Sequence, residues 1–308
     1  MRVKITCPFR LPSSHEIHKI GFRGGNNVEL TTPFRLEGIL GQESTSIEIN
    51  KQENGKYSIV IVSDSLLKKD EQISFLERVS EYLSFLINKN EKNPHYGTNF
   101  VELEWFEFKA IKIQNDDDNA FHDHLHISDA LAISSTRTIT LDAEEVSKGT
   151  YHDILRFYYD GLRAEHTKSK YFHWFLILEY LENSKKYRAM FNSNKLFDEN
   201  EKIMLKEVAE KMSDGVKKGA ILNLLSRTRE FRSYKLFRLI QTLDISEVSF
   251  AGKSTEVSEK MIKEIINGRN SLFHSGGAFP EATLWGYLFP LVTQVVDIVS
   301  VDNTCLDA

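Results

Sequence analysis

Arg269, Asn270 and His274 are the residues whose types and spacing best suit chemistry in this chain. They close the stretch Val257-Ser-Glu-Lys-Met-Ile-Lys-Glu-Ile-Ile-Asn-Gly-Arg-Asn-Ser-Leu-Phe-His. Its apolar stripe runs through Val257, Met261 and Ile265 to Leu272 and Phe273, in helical steps of three or four once Arg269 is included. Arg269 thus stands where an apolar residue belongs, and a guanidinium there needs a carboxylate, a partner subunit or a bound anion. His274 shares a face with Asn270, four residues earlier, while Arg269 lies on the adjacent row, about 100° around the helix. Gly276-Gly277 stops the helix and lets a backbone or a phosphate come close. An arginine for phosphate and a histidine for proton transfer are what phosphodiester cleavage needs. The alternative is structural: Arg269 in a buried salt bridge, and His274 as a helix-terminal cation favoured by the dipole.

Other residues bear on the same chemistry. Glu179 interrupts the apolar run Tyr171–Leu181 together with His173, and a carboxylate there requires a partner. Arg269, in the same chain or across a dimer, is the expected one; escape to solvent at the helix edge is the alternative. Arg227, Arg229, Arg232, Lys235 and Arg238 fall mostly three apart, with Phe231, Tyr234 and Phe237 interleaved. Such a ridge suits phosphates and unpaired bases, or is a solvated helix face with its aromatics in the core. His122, His124 and His126 would share one face of a strand and could ligate zinc, although an acidic loop adjoins them and no cysteine supports them. Gly21-Phe-Arg-Gly-Gly-Asn-Asn lacks the strand–loop–helix setting of a nucleotide fingerprint and reads as a turn. The chain contains no P-loop, no Gly-x-Ser-x-Gly and no His-Glu-x-x-His.

Arg269-Asn270-Ser271-Leu272-Phe273-His274 resembles the Arg-x4–6-His motif of HEPN domains, in its Arg-Asn-x-x-x-His form. Lys170-Tyr-Phe-His-Trp-Phe-Leu-Ile-Leu-Glu-Tyr-Leu-Glu182 is similar to an early helix of the abortive-infection type of that domain. The resemblance covers roughly residues 150–300. It implies an all-α domain that dimerises so that two motifs face each other. It also implies metal-independent endoribonuclease activity, with no cofactor, in anti-phage defence or a toxin–antitoxin system. His274 would then act as general base or acid, Arg269 would hold the scissile phosphate, Asn270 would orient phosphate or histidine, and the product would be a 2′,3′-cyclic phosphate. RNA and a neutralising or activating protein are the implied partners. Many HEPN domains instead bind a nucleotide or dock a partner without cleaving anything, and that is the alternative function.

These residues must be positioned by a chain of 308 residues that is 41% hydrophobic and 27% charged, an ordinary globular composition long enough for two domains. The expected class is α+β: a β-rich domain over 1–147, which senses or recruits, followed by an all-α HEPN-like bundle over 148–308. Strands are predicted at Val28–Leu30, Phe34–Leu40, Ser46–Ile49, Tyr57–Val62, Phe100–Ile113 and Thr136–Leu141. A hairpin loop is predicted at Gln52–Lys56 and one amphipathic helix at Asp70–Leu86. Asn115–Asn119 reads as an acidic loop. From Thr150 the period is helical: Tyr151–Ala164, Lys170–Leu181, Asp198–Lys218 with a capping box at Asp198 and Glu201, a basic stretch at Leu225–Leu243, Ser254–Phe273, and Ala282–Val299.

The net charge of -5 excludes a globally basic nucleic-acid coat. Residues 1–147 hold 16 Lys+Arg against 23 Asp+Glu, and residues 148–308 hold 23 against 21, so a polyanion is better placed on the second half. Cys7 and Cys305 lie at opposite ends and offer no disulfide framework. The first residues carry no apolar signal core, and no apolar run is expected to reach the roughly 18 residues that span a bilayer. A cytoplasmic protein without a membrane partner is the expectation.

Overall fold

The computed structural model describes residues 2–12, 27–52, 55–66, 68–89, 98–113, 136–191, 196–225, 230–250, 252–274 and 280–306. Its first half is built on an antiparallel sheet. The strands are β1 (Arg2–Arg10), β3 (Phe34–Ile39), β4 (Gln42–Lys51), β5 (Tyr57–Ser63), β6 (Glu102–Leu103) and β7 (Lys109–Ile113), while β2 (Asn27–Leu30) pairs separately and in parallel with β8 (Thr136–Ile139). The sheet order is β3-β4-β5-β1-β6, with β7 also on β1. Strand β5, Tyr-Ser-Ile-Val-Ile-Val-Ser, is a near-continuous apolar run because it lies between β4 and β1 and is buried on both faces. The β4–β5 loop closes where expected, with Gly55 at φ +79° donating its N–H to Gln52 O.

Helix α1 (Lys69–Lys89) begins amphipathic, but from Val79 to Asn88 it is buried all round. The cause is its position against both halves of the chain. Phe85 meets Tyr158 edge-on at 5.6 Å. Tyr151 donates to the buried Glu81 carboxylate at 2.8 Å. Lys89 bridges Asp297 at 2.6 Å and Glu145. The Tyr159 hydroxyl donates to Val101 O at 2.7 Å, and Thr150 N–H to Ser300 O at 2.7 Å. Strands give way to helix after Ile139, and a single apolar core continues past that point and across residue 148.

The chain from residue 143 onward holds α2 (Ala143–Lys148), α3 (Ile154–Arg163), α4 (Thr167–Glu182), α5 (Lys185–Phe191), α6 (Glu199–Glu210), α7 (Gly215–Leu225), α8 (Arg232–Gln241), α9 (Glu259–His274), α10 (Glu281–Thr283) and α11 (Phe289–Val301). It is not all-α. Strands β9 (Glu247–Phe250) and β10 (Lys253–Glu256) form a hairpin whose turn uses Gly252 at φ +76°. Two further expectations are corrected. The strand predicted over Phe100–Ile113 is split by a 3-10 turn at Trp105–Glu107, so β6 and β7 meet β1 at its two ends. The helix predicted over 198–218 is two helices: the capping box at Asp198 and Glu201 starts α6, and Asp214 accepts from Val216 N–H to start α7.

Before α11 the helix loosens into a π turn at Leu284–Leu288. Pro290 has no N–H and its ring crowds the preceding turn, which accounts for the wider spiral. The helical run Glu281–Val301 is long and apolar enough to cross a membrane, with mean hydropathy 1.5, against the expectation that no such run exists; 61% of that window is buried within the protein. Its apolar character serves the core: Leu291, Val292, Val295, Val296 and Val299 are fully buried.

Candidate functional site

Helices α4, α8 and α9 meet at a cluster of charges. On α4, Tyr171, Phe175 and Glu179 are four residues apart and line one face, and Glu182 follows three later. Gly268 on α9 permits the close approach. A Cβ at that position would lie 2.5 Å from Tyr171 Oη and 3.1 Å from Pro280 Cγ. Tyr171 Oη donates to Ile265 O at 2.6 Å, which pins the two helices at that level. The residue after Gly268 is Arg269, and its Nη2 reaches Glu179 Oε1 at 3.4 Å, the pairing expected from the sequence.

Arg232, the first residue of α8, enters the same cluster. It makes two hydrogen bonds to Glu182, Nε to Oε1 at 2.7 Å and Nη2 to Oε2, and its Nη2 is 3.6 Å from Glu179 Oε1. Both guanidiniums lie over the buried Phe175 ring, Arg232 at 5.4 Å and Arg269 at 5.8 Å from its centroid. Two carboxylates on one helix thus neutralise two guanidiniums from two others. The hydrogen bonds that Arg232 donates to Glu182 push its guanidinium above the ordinary arginine value. Ser233 Oγ donates to Glu259 Oε1 at 3.1 Å and adds a second tie between α8 and α9.

The arginine is not sealed in the core, as its stripe suggested. The Arg269 side chain is 30% exposed and that of Glu179 is 31% exposed, so solvent reaches the pair. Asn270 is exposed. His274 is the last residue of α9; its side chain and Gly276-Gly277 lie outside the described residues. Asn270 and His274 remain four apart in one continuous helix and so share a face.

The basic ridge divides into unlike parts. Arg227 and Arg229 lie outside the described residues. Arg232 is taken up by the ion cluster. Lys235 Nζ stands 5.6 Å from the Tyr187 ring centroid, and the exposed Arg238 donates to Tyr234 Oη at 3.1 Å. Of the interleaved aromatics, Phe237 packs on the core while Phe231 is 80% exposed. His122, His124 and His126, the acidic loop at 115–119 and the Gly21–Asn26 turn also lie outside the described residues. Among the described residues, no group of three His, Cys, Asp or Glu is placed to hold a metal ion.

Sequence reasoning did not single out Phe175, Glu182 or Lys170. Glu182, one helical step beyond Glu179, was within reach of a spacing argument. Lys170 is 3% exposed and donates to the carbonyls of Gly161 and Leu162 at 3.1 and 2.9 Å, at the C-terminal end of α3. Burial pushes its ammonium down to about 7. Gly161 makes room there: a Cβ would fall 2.2 Å from Trp174 Nε1, which donates to Tyr158 O. Compared with known proteins, the chain matches no protein-family model, no curated protein and no solved structure.

Proposed function

We propose that this chain is a metal-independent endoribonuclease of the HEPN type, acting as a homodimer through its helical half. The observation that carries the reading is the Arg269–Glu179 pair. It fixes a solvent-accessible guanidinium on the helix that ends at His274, five residues before that histidine. In this scheme His274 removes the proton of a ribose 2′-hydroxyl and the freed oxygen attacks the adjacent phosphorus. The 5′-oxygen of the next nucleotide leaves, taking the proton that His274 has accepted. The products are a 2′,3′-cyclic phosphate and a 5′-hydroxyl end. Arg269 binds the phosphate and stabilises the charge that builds on it, Asn270 orients phosphate or histidine, and Glu179 positions Arg269. Anti-phage defence or a toxin–antitoxin pair in the cytoplasm is the setting that the motif suggests, with a neutralising or activating protein as partner.

A second reading is a silent module that binds a nucleotide or a protein. It is favoured by the neutrality of the cluster, since each guanidinium already has a carboxylate. Incubating wild type and His274→Ala with total RNA in EDTA separates the two. Cleavage by wild type alone, leaving 2′,3′-cyclic ends, supports the nuclease. Equal inactivity of the folded proteins, with and without cell extract as a source of activator, supports the module.

A further inference from the structure

Helices α6 and α7 form a hairpin that carries a concentration of exposed apolar surface. Of the 13 large apolar residues exposed among the described ones, seven fall within residues 196–225: Leu196, Ile203, Met204, Val208, Val216, Leu222 and Leu224. Only Ala209 is buried in α6 and no residue is buried in α7. A solvated helix pair keeps its apolar residues on the inner seam. Here Met204 and Val208, four apart, are exposed on one face of α6, and Val216, Ala220 and Leu224, four apart, are exposed on one face of α7.

The charges say what covers these faces. Helix α6 carries Glu199, Glu201, Glu207 and Glu210 against Lys202 and Lys206, and is net negative. Helix α7 carries Lys217 and Lys218 with no acidic residue, and is net positive. A two-fold interface pairs a surface with itself, so every contact made in one direction is repeated in the other. Placing α6 on α6 would oppose like charges. Placing α6 on the partner's α7, twice, joins apolar stripes of equal spacing and opposes unlike charges both times. We infer that the α6–α7 hairpin is a self-association surface, occupied by the same hairpin of a second copy of this chain. The inference rests on the homodimer reading above only for the presence of a second copy, and its test reads mass, not cleavage.

The full-length chain is measured by sedimentation at micromolar concentration, beside three variants whose helix content is checked by circular dichroism. Met204→Glu with Val216→Glu, Glu207→Lys with Glu210→Lys, and Lys217→Glu with Lys218→Glu are each expected to lower the mass from dimer to monomer. An equimolar mixture of the two charge-reversed variants is expected to regain the dimer mass, which a merely misfolded variant would not do. The inference is overturned by a monomeric wild type, by variants that stay dimeric, or by charge-reversed variants that do not re-associate on mixing. Cleavage by a monomer, or its absence in a dimer, bears on the nuclease reading alone.

Discussion

Glu179 Oε1 lies between two guanidiniums, 3.4 Å from Arg269 Nη2 and 3.6 Å from Arg232 Nη2. Neither distance is that of a strong charge-assisted bond. Arg232 has its better partner in Glu182, so the firmer claim on Glu179 belongs to Arg269. Being about one-third exposed, the Glu179–Arg269 pair contributes little stability, under about 1 kcal/mol. Glu179→Gln is therefore expected to lower Tm by less than about 3 °C. It is also expected to lower RNA cleavage by about tenfold or more through a misplaced guanidinium. Thermal unfolding and single-turnover cleavage on one preparation test this, and unchanged cleavage would show that Glu179 does not position Arg269.

Glu182 should behave in the opposite way. Its side chain is only 13% exposed and it holds Arg232 through two hydrogen bonds. Removing Arg232 leaves a nearly buried carboxylate unpaired, at a cost of about 3 kcal/mol. Arg232→Ala should lose that much in urea unfolding, and Arg232→Ala with Glu182→Leu should recover most of it. A double variant no more stable than the single would mean that the pair does not join α4 to α8.

Gly268 sets the distance between α4 and α9, and the test is a double-mutant cycle with Tyr171. Gly268→Ala should cost about 1–3 kcal/mol by overpacking, because its methyl would meet Tyr171 Oη at 2.5 Å. Tyr171→Phe removes that oxygen and its bond to Ile265 O. The two losses should then be less than additive by about 1 kcal/mol. Strict additivity would show that Gly268 answers to Pro280 and not to Tyr171.

These contacts also mark what was legible in the sequence. Arg269 and Glu179 stood out because each breaks an apolar stripe, and a charge in such a place must find a partner. Arg232 did not stand out, because an arginine among four other basic residues looks like part of a solvated face. Its partner lies 50 residues away on a helix whose own polar positions looked terminal. The β9–β10 hairpin escaped because its strands are four residues long and mostly exposed, so they lack the alternation that marks a half-buried strand. The break between α6 and α7 was written in Ser213-Asp214-Gly215, a cap and a turn residue, but the spacing on either side suggested one period. Continuity of the core across residue 148 was not legible at all: it depends on how α1 packs, and local pattern carries no information on that.

Nucleic-acid contact, if it follows the ridge, should separate Arg238 from Arg232. Arg238 is exposed and, among the described residues, its side chain is tied to Tyr234 in its own helix. Arg238→Ala should leave Tm within about 1 °C and weaken binding of a single-stranded RNA. It should also reduce the slope of log affinity against log salt by about 0.7 to 1, one phosphate contact. Anisotropy titrations at several salt concentrations measure this, and an unchanged slope would assign Arg238 to the solvated face.

Lys170 gives the protein a pH dependence whose sign can be worked out. Its ammonium is held at about 7 in the folded chain against 10.5 for an ordinary lysine, because burial penalises the charge. Between those values the unfolded chain binds a proton that the folded chain does not, so stability rises as pH rises across the window. The gain is lost as pH falls to 7, and below that both states are protonated and nothing more is lost. Lys170→Met keeps the volume and removes the titration, while the lost bonds to Gly161 and Leu162 cost a fixed amount at every pH. From pH 7 to pH 9 wild type should therefore gain on the order of 2 kcal/mol more than Lys170→Met, measured by urea unfolding at each pH. All other titrating groups are common to both proteins and cancel in the comparison. Parallel pH profiles would mean that Lys170 stays charged in the fold throughout this range, its charge carried by the two carbonyls at the end of α3.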